Sequence, residues 1–238
     1  MKDLRILAMD TSGKVASVAI SDGEKILWEK SVYTKLTHSQ VILPMVQQAL
    51  EESGMQLSDI DCAAVANGPG SYTGLRIGIG AVKGMCMGCG ELKCAGVSTL
   101  EALAYNCVSF KGRIIAVMKA RPGISYVGMF ESNGHTLTRL SPDKVCADSE
   151  AFEGLDTGKG VMLTGDNACA VKQEFFAEDE NVFTANETQL LQRAASVCLA
   201  VNRNSGYIVG ADELEVSYLQ ATKAEKDKAH RDDQGGCI

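Results

Sequence analysis

The chain opens with apolar residues in short, strand-length blocks and then changes period. "LRILAMDTS", "KVASVAISDG" and "EKILWEKSVY" read as three strands, divided by the turn signals Ser12-Gly13 and Asp22-Gly23. Apolar positions then recur three and four apart in "LTHSQVILPMVQQALEESG", a helix closed by Gly54, with Pro44 early enough to loosen its first turns. "DIDCAAVAN" returns to a strand, "SYTGLRIGIGAVKG" to a helix and "LKCAGV" to a strand. "STLEALAYNCV" starts a further helix at a capping box running from Ser98 to Glu101. A hairpin start followed by alternating strands and helices predicts a mixed sheet with helices on its faces.

Two of these helices carry more apolar surface than one contact needs. Val41, Ile42, Leu43, Met45, Val46, Ala49 and Leu50 span roughly 200° of the first helix, about twice a one-sided stripe. With Leu43, Val46 and Leu50 turned to the sheet, Val41, Ile42, Met45 and Ala49 face outward. In the second helix Leu75, Ile79, Val82 and Cys86 gather on one side, while Gly74, Gly78, Ala81, Gly84 and Gly88 cover another arc. Only Arg76 and Lys83 share a polar edge. A helix that is apolar all round is covered all round, so one flank lies on the protein's own sheet and the other on a partner. The expected interface is His38, Val41, Ile42, Met45, Ala49, Leu75, Arg76, Ile79, Val82, Lys83 and Cys86. The alternative is that other helices of the domain cover these positions.

The opening pattern then recurs. "RILAMDTSGKVASVAISDG" at Arg5 and "RIIAVMKARPGISYVGMFESNG" at Arg113 share strand, turn, strand and turn in the same order. A loose duplication of this kind predicts two related lobes, at 1–110 and 111–222. The second lobe continues through the strand "GVMLTGDNA", helical "TQLLQRAASVCLAVNRNSG" and the short "LEVSYLQ". From residue 223 the tail "KAEKDKAHRDDQGGCI" is charged and aperiodic, and is expected to be disordered.

Charge narrows the function classes. With 23 basic and 30 acidic residues the net charge is −7, so a broad phosphate-gripping surface for nucleic acid is not expected. The N-terminus reaches Asp10 without a long apolar run, and no segment approaches the roughly 18 apolar residues of a membrane span. A cytoplasmic protein is expected. Of nine cysteines, Cys86 and Cys89 form a lone C-x-x-C with no second pair or nearby histidine, so buried free thiols are expected and no metal site. His38, His135 and His230 are too scattered to suggest a catalytic constellation.

The most distinctive stretch is "ANGPGSYTGLRIGIGAVKG", residues 66–84. Gly68, Pro69, Gly70, Ser71, Thr73 and Gly74 form a Gly-rich turn between a strand and a helix, the general setting of an anion cradle. The details differ from known cradles. A P-loop needs a lysine at the helix start, where this chain has Thr73-Gly74-Leu75. A dinucleotide fingerprint has shorter glycine spacing and an acid ending the next strand, where this chain has Val97-Ser98.

"GPGSYTGLRIG", together with "ILAMDTSGKVASVAI", "HSQVILPMV", "VSTLEALA", "LTGDNA" and "VSYLQ", resembles the TsaB (YeaZ) family of bacterial tRNA threonylcarbamoyladenosine biosynthesis proteins. The similarity runs from about residue 4 to about residue 220. It implies the actin-like ATPase fold: two ribonuclease H-like α/β lobes, each a mixed sheet opened by a three-strand hairpin with flanking helices. It also implies a heteromeric role, in which the chain pairs with the catalytic paralogue TsaD through the first two helices. TsaE joins them, and the complex transfers threonylcarbamoyl from its adenylate to the adenosine beside the tRNA anticodon. ATP and magnesium or another metal are then used by partner subunits, tRNA is met indirectly, and the isolated chain forms a homodimer through the same surface. Asp10, Thr11 and Ser12 match a degenerate first phosphate loop. Lys119-Ala120-Arg121 and Ile124 stand where the family carries acids, and a lysine cannot ligate a hard cation. These residues point to a supporting subunit that is not itself the catalyst. The rival readings are a stand-alone actin-like ATPase or kinase, and a dinucleotide-binding enzyme.

Overall fold

A computed structural model describes residues 3–33 and 36–219. Strands β1 (Arg5–Asp10), β2 (Val15–Asp22) and β3 (Lys25–Tyr33) form the opening hairpins. Helix α1 (His38–Glu52), β4 (Cys62–Gly68), α2 (Tyr72–Gly88), β5 (Lys93–Ser98) and α3 (Thr99–Tyr105) follow. The second half begins with β6 (Lys111–Arg121) and β7 (Ile124–Asn133), then β8 (Leu137–Arg139), β9 (Lys144–Ala147) and α4 (Asp148–Phe152). It continues through β10 (Val161–Thr164), α5 (Ala168–Phe175), β11 (Val182–Thr184), α6 (Ala194–Arg203) and β12 (Ile208–Val209).

The first sheet has the order β12-β5-β4-β1-β2-β3 and the second β11-β10-β6-β7-β8, with β9 pairing the other end of β7. In both, an antiparallel hairpin is extended on one side by parallel strands, β1 with β4 and β5, β6 with β10 and β11. The duplication read in the sequence is therefore a duplication of sheet topology.

Burial on both faces explains why the central strands are nearly continuous apolar runs. On β1, Leu7 and Met9 face α1 and α2, while Ile6 and Ala8 face α6. On β6, Ile114, Ala116 and Met118 face α3, while Ile115 and Val117 face α4 and α5. The layers run α1–α2, first sheet, α3–α6, second sheet, α4–α5. Cores on both sides of each sheet supply the dominant favourable term.

Two expectations are corrected here. The second lobe does not extend to residue 222, because α6 packs on the first sheet and β12 pairs with β5. The apolar stripe of α6, with Val197, Cys198 and Val201 fully buried, completes the open face of the first sheet. The predicted helix over "TQLLQRAASVCLAVNRNSG" begins only at Ala194. Before it, the carbonyls of Gln189 and Leu191 accept bonds from Asn106 Nδ2 at 3.0 Å, a side-chain arrangement that replaces a helical turn. The charged tail expected from residue 223 lies outside the described residues.

A charge network crosses between the lobes. Arg139 Nη2 donates to Glu101 Oε2 at 2.6 Å and Nη1 pairs with Asp143, while Tyr207 Oη donates to Glu101 Oε1 at 2.5 Å. Ser98 Oγ accepts from Glu101 N and donates to Asp143 Oδ2 at 2.5 Å. The Ser98–Glu101 box is thus only half formed, because the Glu101 carboxylate leaves the helix end for Arg139 and Tyr207. Arg139 also lies 4.7 Å over the Phe130 ring. Replacing Arg139 with Ala should cost roughly 2 kcal/mol, since Glu101 is nearly buried and would lose its counter-ion. Urea unfolding monitored by circular dichroism measures this, and an unchanged midpoint would show the network to be solvated.

Candidate functional site

The Gly-rich loop and the β1–β2 loop fill one another. Thr11 Oγ1 donates to the Gly74 carbonyl at 2.7 Å, and Ser71 N donates to the Ser12 carbonyl at 2.7 Å. A Cβ on Gly74 would lie 2.1 Å from Thr11 O, and one on Gly78 2.5 Å from Thr11 Oγ1. At Gly70 it would meet Ser12 O at 2.4 Å, and at Gly68, where φ is +131°, Ser217 O at 2.3 Å. Only glycine admits a backbone this close. The N-terminus of α2 is capped from within, Ser71 Oγ accepting from Gly74 N at 3.2 Å. The concavity that suggested an anion cradle holds the carbonyls of the protein's own Thr11 and Ser12.

Asp10 sits at the root of this loop, fully buried. Its Oδ1 accepts from Ser12 N at 2.9 Å and Ser12 Oγ at 2.6 Å, whereas Oδ2 is buried without a hydrogen-bond partner. Burial raises its pKa to about 6, opposed by the two Ser12 bonds and the charge of His38. His38, the first residue of α1, donates from Nε2 to the Gly13 carbonyl at 2.8 Å, and its Nδ1 is buried without a partner.

The cleft side of the loop is occupied as well. Gln192 is buried, its side chain 2.5 Å from where a Cβ on Gly13 would stand, and its Nε2 is 3.9 Å from Met118 Sδ. Opposite, β6 and β7 are joined by the two residues Pro122-Gly123, so the second lobe presents a tight turn where the first has a loop. Lys119 has its side chain exposed and its N–H bonded to Asp166 Oδ1 at 2.9 Å. The amides of Ser12, Ser71 and Gly74 and the space beside Gly70 and Gly74 are taken by the chain itself. Among the described residues, no group of three or more His, Cys, Asp or Glu side chains converges to hold a metal.

The outer face of α1 and α2 exposes apolar side chains beside glycine. Leu43 is 52% exposed and Met87 83%. Between them Gly80 and Gly84 are exposed in mid-helix, and a Cβ on either would meet nothing within 4 Å. Val41, Ile77, Ala81 and Met85 are half-buried beside them.

Comparison with known proteins places this architecture. The family model described as TsaD: tRNA N6-adenosine threonylcarbamoyltransferase matches residues 33–220. The tRNA threonylcarbamoyladenosine biosynthesis protein TsaB of Bacillus subtilis is 32% identical over 171 residues, 71% of this chain and 74% of that protein. The Escherichia coli TsaB is 42% identical over 125 residues, 52% of this chain and 53% of its own length. The chain belongs to the TsaB family. The crystallographic YeaZ from Pseudomonas aeruginosa superposes with a TM-score of 0.78 at 26% identity, covering 91% of this chain and all of that one.

Against the interface predicted from sequence, the structure of this TsaB-family chain makes one consistent correction. Ile42, Met45 and Ala49 do not face outward; with Val46 they are buried on the first sheet, and Leu43 takes the outer position. Leu43 shares its face with Gln47 four residues on, so burying Leu43 would have buried an amide that instead bonds Glu51 at 2.7 Å. Leu75, Ile79, Val82 and Cys86 are likewise the inner flank of α2. Of the proposed positions only Val41, Arg76, Lys83 and the edge of His38 reach the surface. Cys86 and Cys89 are free thiols, with burial pushing Cys86 up to about 11. Among the described residues no helix is long and apolar enough to cross a membrane.

Other contacts around the loop escaped the sequence pattern. Tyr218 stacks on Tyr72 with ring centroids 5.3 Å apart, Arg76 donates from Nε to Tyr218 Oη at 3.0 Å, and its guanidinium lies 4.0 Å over Tyr72. Ser217 N donates to the Asn67 carbonyl at 2.8 Å, so the strap leading to residue 219 clips the Gly-rich loop. Gln192 and Asp166 carry no local signal, because Gln192 acts across the lobes and Asp166 bonds Lys119, 47 residues away on the neighbouring strand.

The raised pKa of Asp10 has a definite sign. The folded chain binds this proton more tightly than the unfolded one, so folding is favoured below the ordinary carboxylate range and the benefit is lost as pH rises toward about 6. The contribution is on the order of 2 kcal/mol. Asp10→Asn should therefore flatten the stability difference between pH 5 and pH 7.5, measured by chemical denaturation. A variant with the same pH dependence as wild type would mean Asp10 is not the titrating group.

Proposed function

We propose that this chain is a non-catalytic subunit in threonylcarbamoyladenosine synthesis on tRNA, binding a TsaD-type paralogue through the outer face of α1 and α2. The observation that carries this is the pair Gly80 and Gly84. Each costs the helix roughly 1 kcal/mol relative to alanine, and among the described residues nothing outside the helix comes within 4 Å of where a Cβ would stand on either one. Their use is explained by a second helix pair packing closely across them, with Leu43 and Met87 supplying apolar area. TsaE would join the assembly and tRNA would be met through the partner, in keeping with the net charge of −7. A homodimer of the isolated chain would use the same strip, because a two-helix face with a central small-residue line is self-complementary.

On this reading the chain holds no nucleotide of its own, and ATP and metal belong to the partner subunits. The packing of Thr11 and Ser12 against Gly70 and Gly74 supports that assignment over a stand-alone ATPase or kinase. Leu43→Asp should weaken association with the cognate TsaD-type protein by about 100-fold, with the thermal midpoint of the isolated chain nearly unchanged. Gly84→Ala should do two opposite things: raise the stability of the isolated chain by roughly 1 kcal/mol and weaken the association. Calorimetric titration beside thermal unfolding reads both effects. Wild-type affinity in both variants would refute the assigned face.

A further inference from the structure

The outer strip is made by two separate helices, and its shape depends on how they are set relative to each other. Most of what holds α1 and α2 to the sheet is apolar contact, from Ile42, Met45, Val46 and Ala49 on one and Ile79, Val82 and Cys86 on the other. Such contact is non-directional and leaves small slides and rotations cheap. Pro44 adds freedom at the start of α1, since it supplies no N–H to the carbonyl four residues earlier. Trp28 and Lys30 of β3 bond Glu52 and Gln48 in the C-terminal half of α1, and Arg76 of α2 bonds Tyr218. At the N-terminal ends of both helices, directional restraint comes from the loop connecting β1 and β2. Thr11 Oγ1 bonds the Gly74 carbonyl in the first turn of α2, and Gly13 O accepts from His38 at the first residue of α1. The two helix starts also meet directly, a Cβ on Gly74 lying 3.3 Å from His38 Cδ2. Ser12, between the two bonded residues, is held by Asp10 from below and by Ser71 N from above.

We infer that Thr11 and His38 are positioning residues for the partner surface. They tie the N-termini of α1 and α2 to one short loop and so fix the spacing between Leu43 and the Gly80–Gly84 line. The loop that touches phosphate in an actin-like ATPase acts here as a bolt between two docking helices. This rests on the proposed function, because it assigns a purpose to the geometry of that same face. Neither side chain lies on the strip: Thr11 is fully buried and His38 is directed inward to Gly13. Their effect on binding would therefore be transmitted through helix placement.

The test compares four variants of the full chain by calorimetric titration with the cognate TsaD-type protein, each checked by circular dichroism and thermal unfolding. Thr11→Val and His38→Leu remove one bond each, whereas Thr11→Ser and His38→Gln keep a donor of similar reach. The expected result is an affinity about tenfold weaker for Val and Leu, with Ser and Gln within about threefold of wild type. A lowered thermal midpoint with unchanged affinity would overturn the inference, showing that the bonds serve stability alone. Equal losses in all four variants would also overturn it. If Thr11→Val fails to fold, the His38 pair decides by the same criteria. Failure of the wild-type chain to bind is seen before any variant is compared; it removes the proposed function and this inference with it.

Discussion

The contact on which the rest of the structure depends is the approach of the Thr11 backbone to the first turn of α2. Thr11 O stands 2.1 Å from where any side chain on Gly74 would begin, and Thr11 Oγ1 bonds the Gly74 carbonyl beside it. This proximity draws the Gly-rich loop onto β1–β2, seats α2 on the first sheet and leaves Gly80 and Gly84 on the far side. The same glycine-dense stretch thus has two functions along its length. Gly70, Gly74 and Gly78 are glycines because their own chain presses on them, whereas Gly80 and Gly84 have no internal reason to be.

The two sheets repeat one topology but their hairpins differ where it matters. In the first, residues 11–14 make a loop long enough to reach both α1 and α2. In the second, the ladder of β6 and β7 continues to Arg121 paired with Ile124, closed by Pro122-Gly123. A cleft that grips phosphates needs a reaching loop from each side, and here only one side reaches, toward the helices. Gln192 and the Arg139–Glu101–Asp143 network then fasten the lobes together. The two halves share one topology and differ at these two turns.

The sequence made the element order legible, because period and turn signals are local. The hairpins, the first two helices and the recurrence at Arg113 could all be read from short windows. Facing was less legible. With seven apolar residues over about 200° of α1, two opposite halves were each apolar enough to be buried, and the choice turned on Gln47. What could not be read at all were contacts between distant segments. Asn106 holding the 189–191 backbone, α6 returning to the first sheet, and Gln192 against Gly13 each join positions far apart in sequence. No local pattern encodes such a pairing.

Asp10 is the buried charge on which the loop is built. Its carboxylate is buried with one oxygen satisfied by Ser12 and the other by nothing, at a cost that an apolar or amide side chain would avoid. A residue kept at such a cost is serving the bonds it does make. By accepting from both Ser12 N and Ser12 Oγ, Asp10 sets the turn that presents Thr11 to Gly74 and Gly13 to His38. Ser12 holds one of its oxygens and the charge of His38 favours its ionised form, so the group organises the loop. The helix geometry follows from that loop.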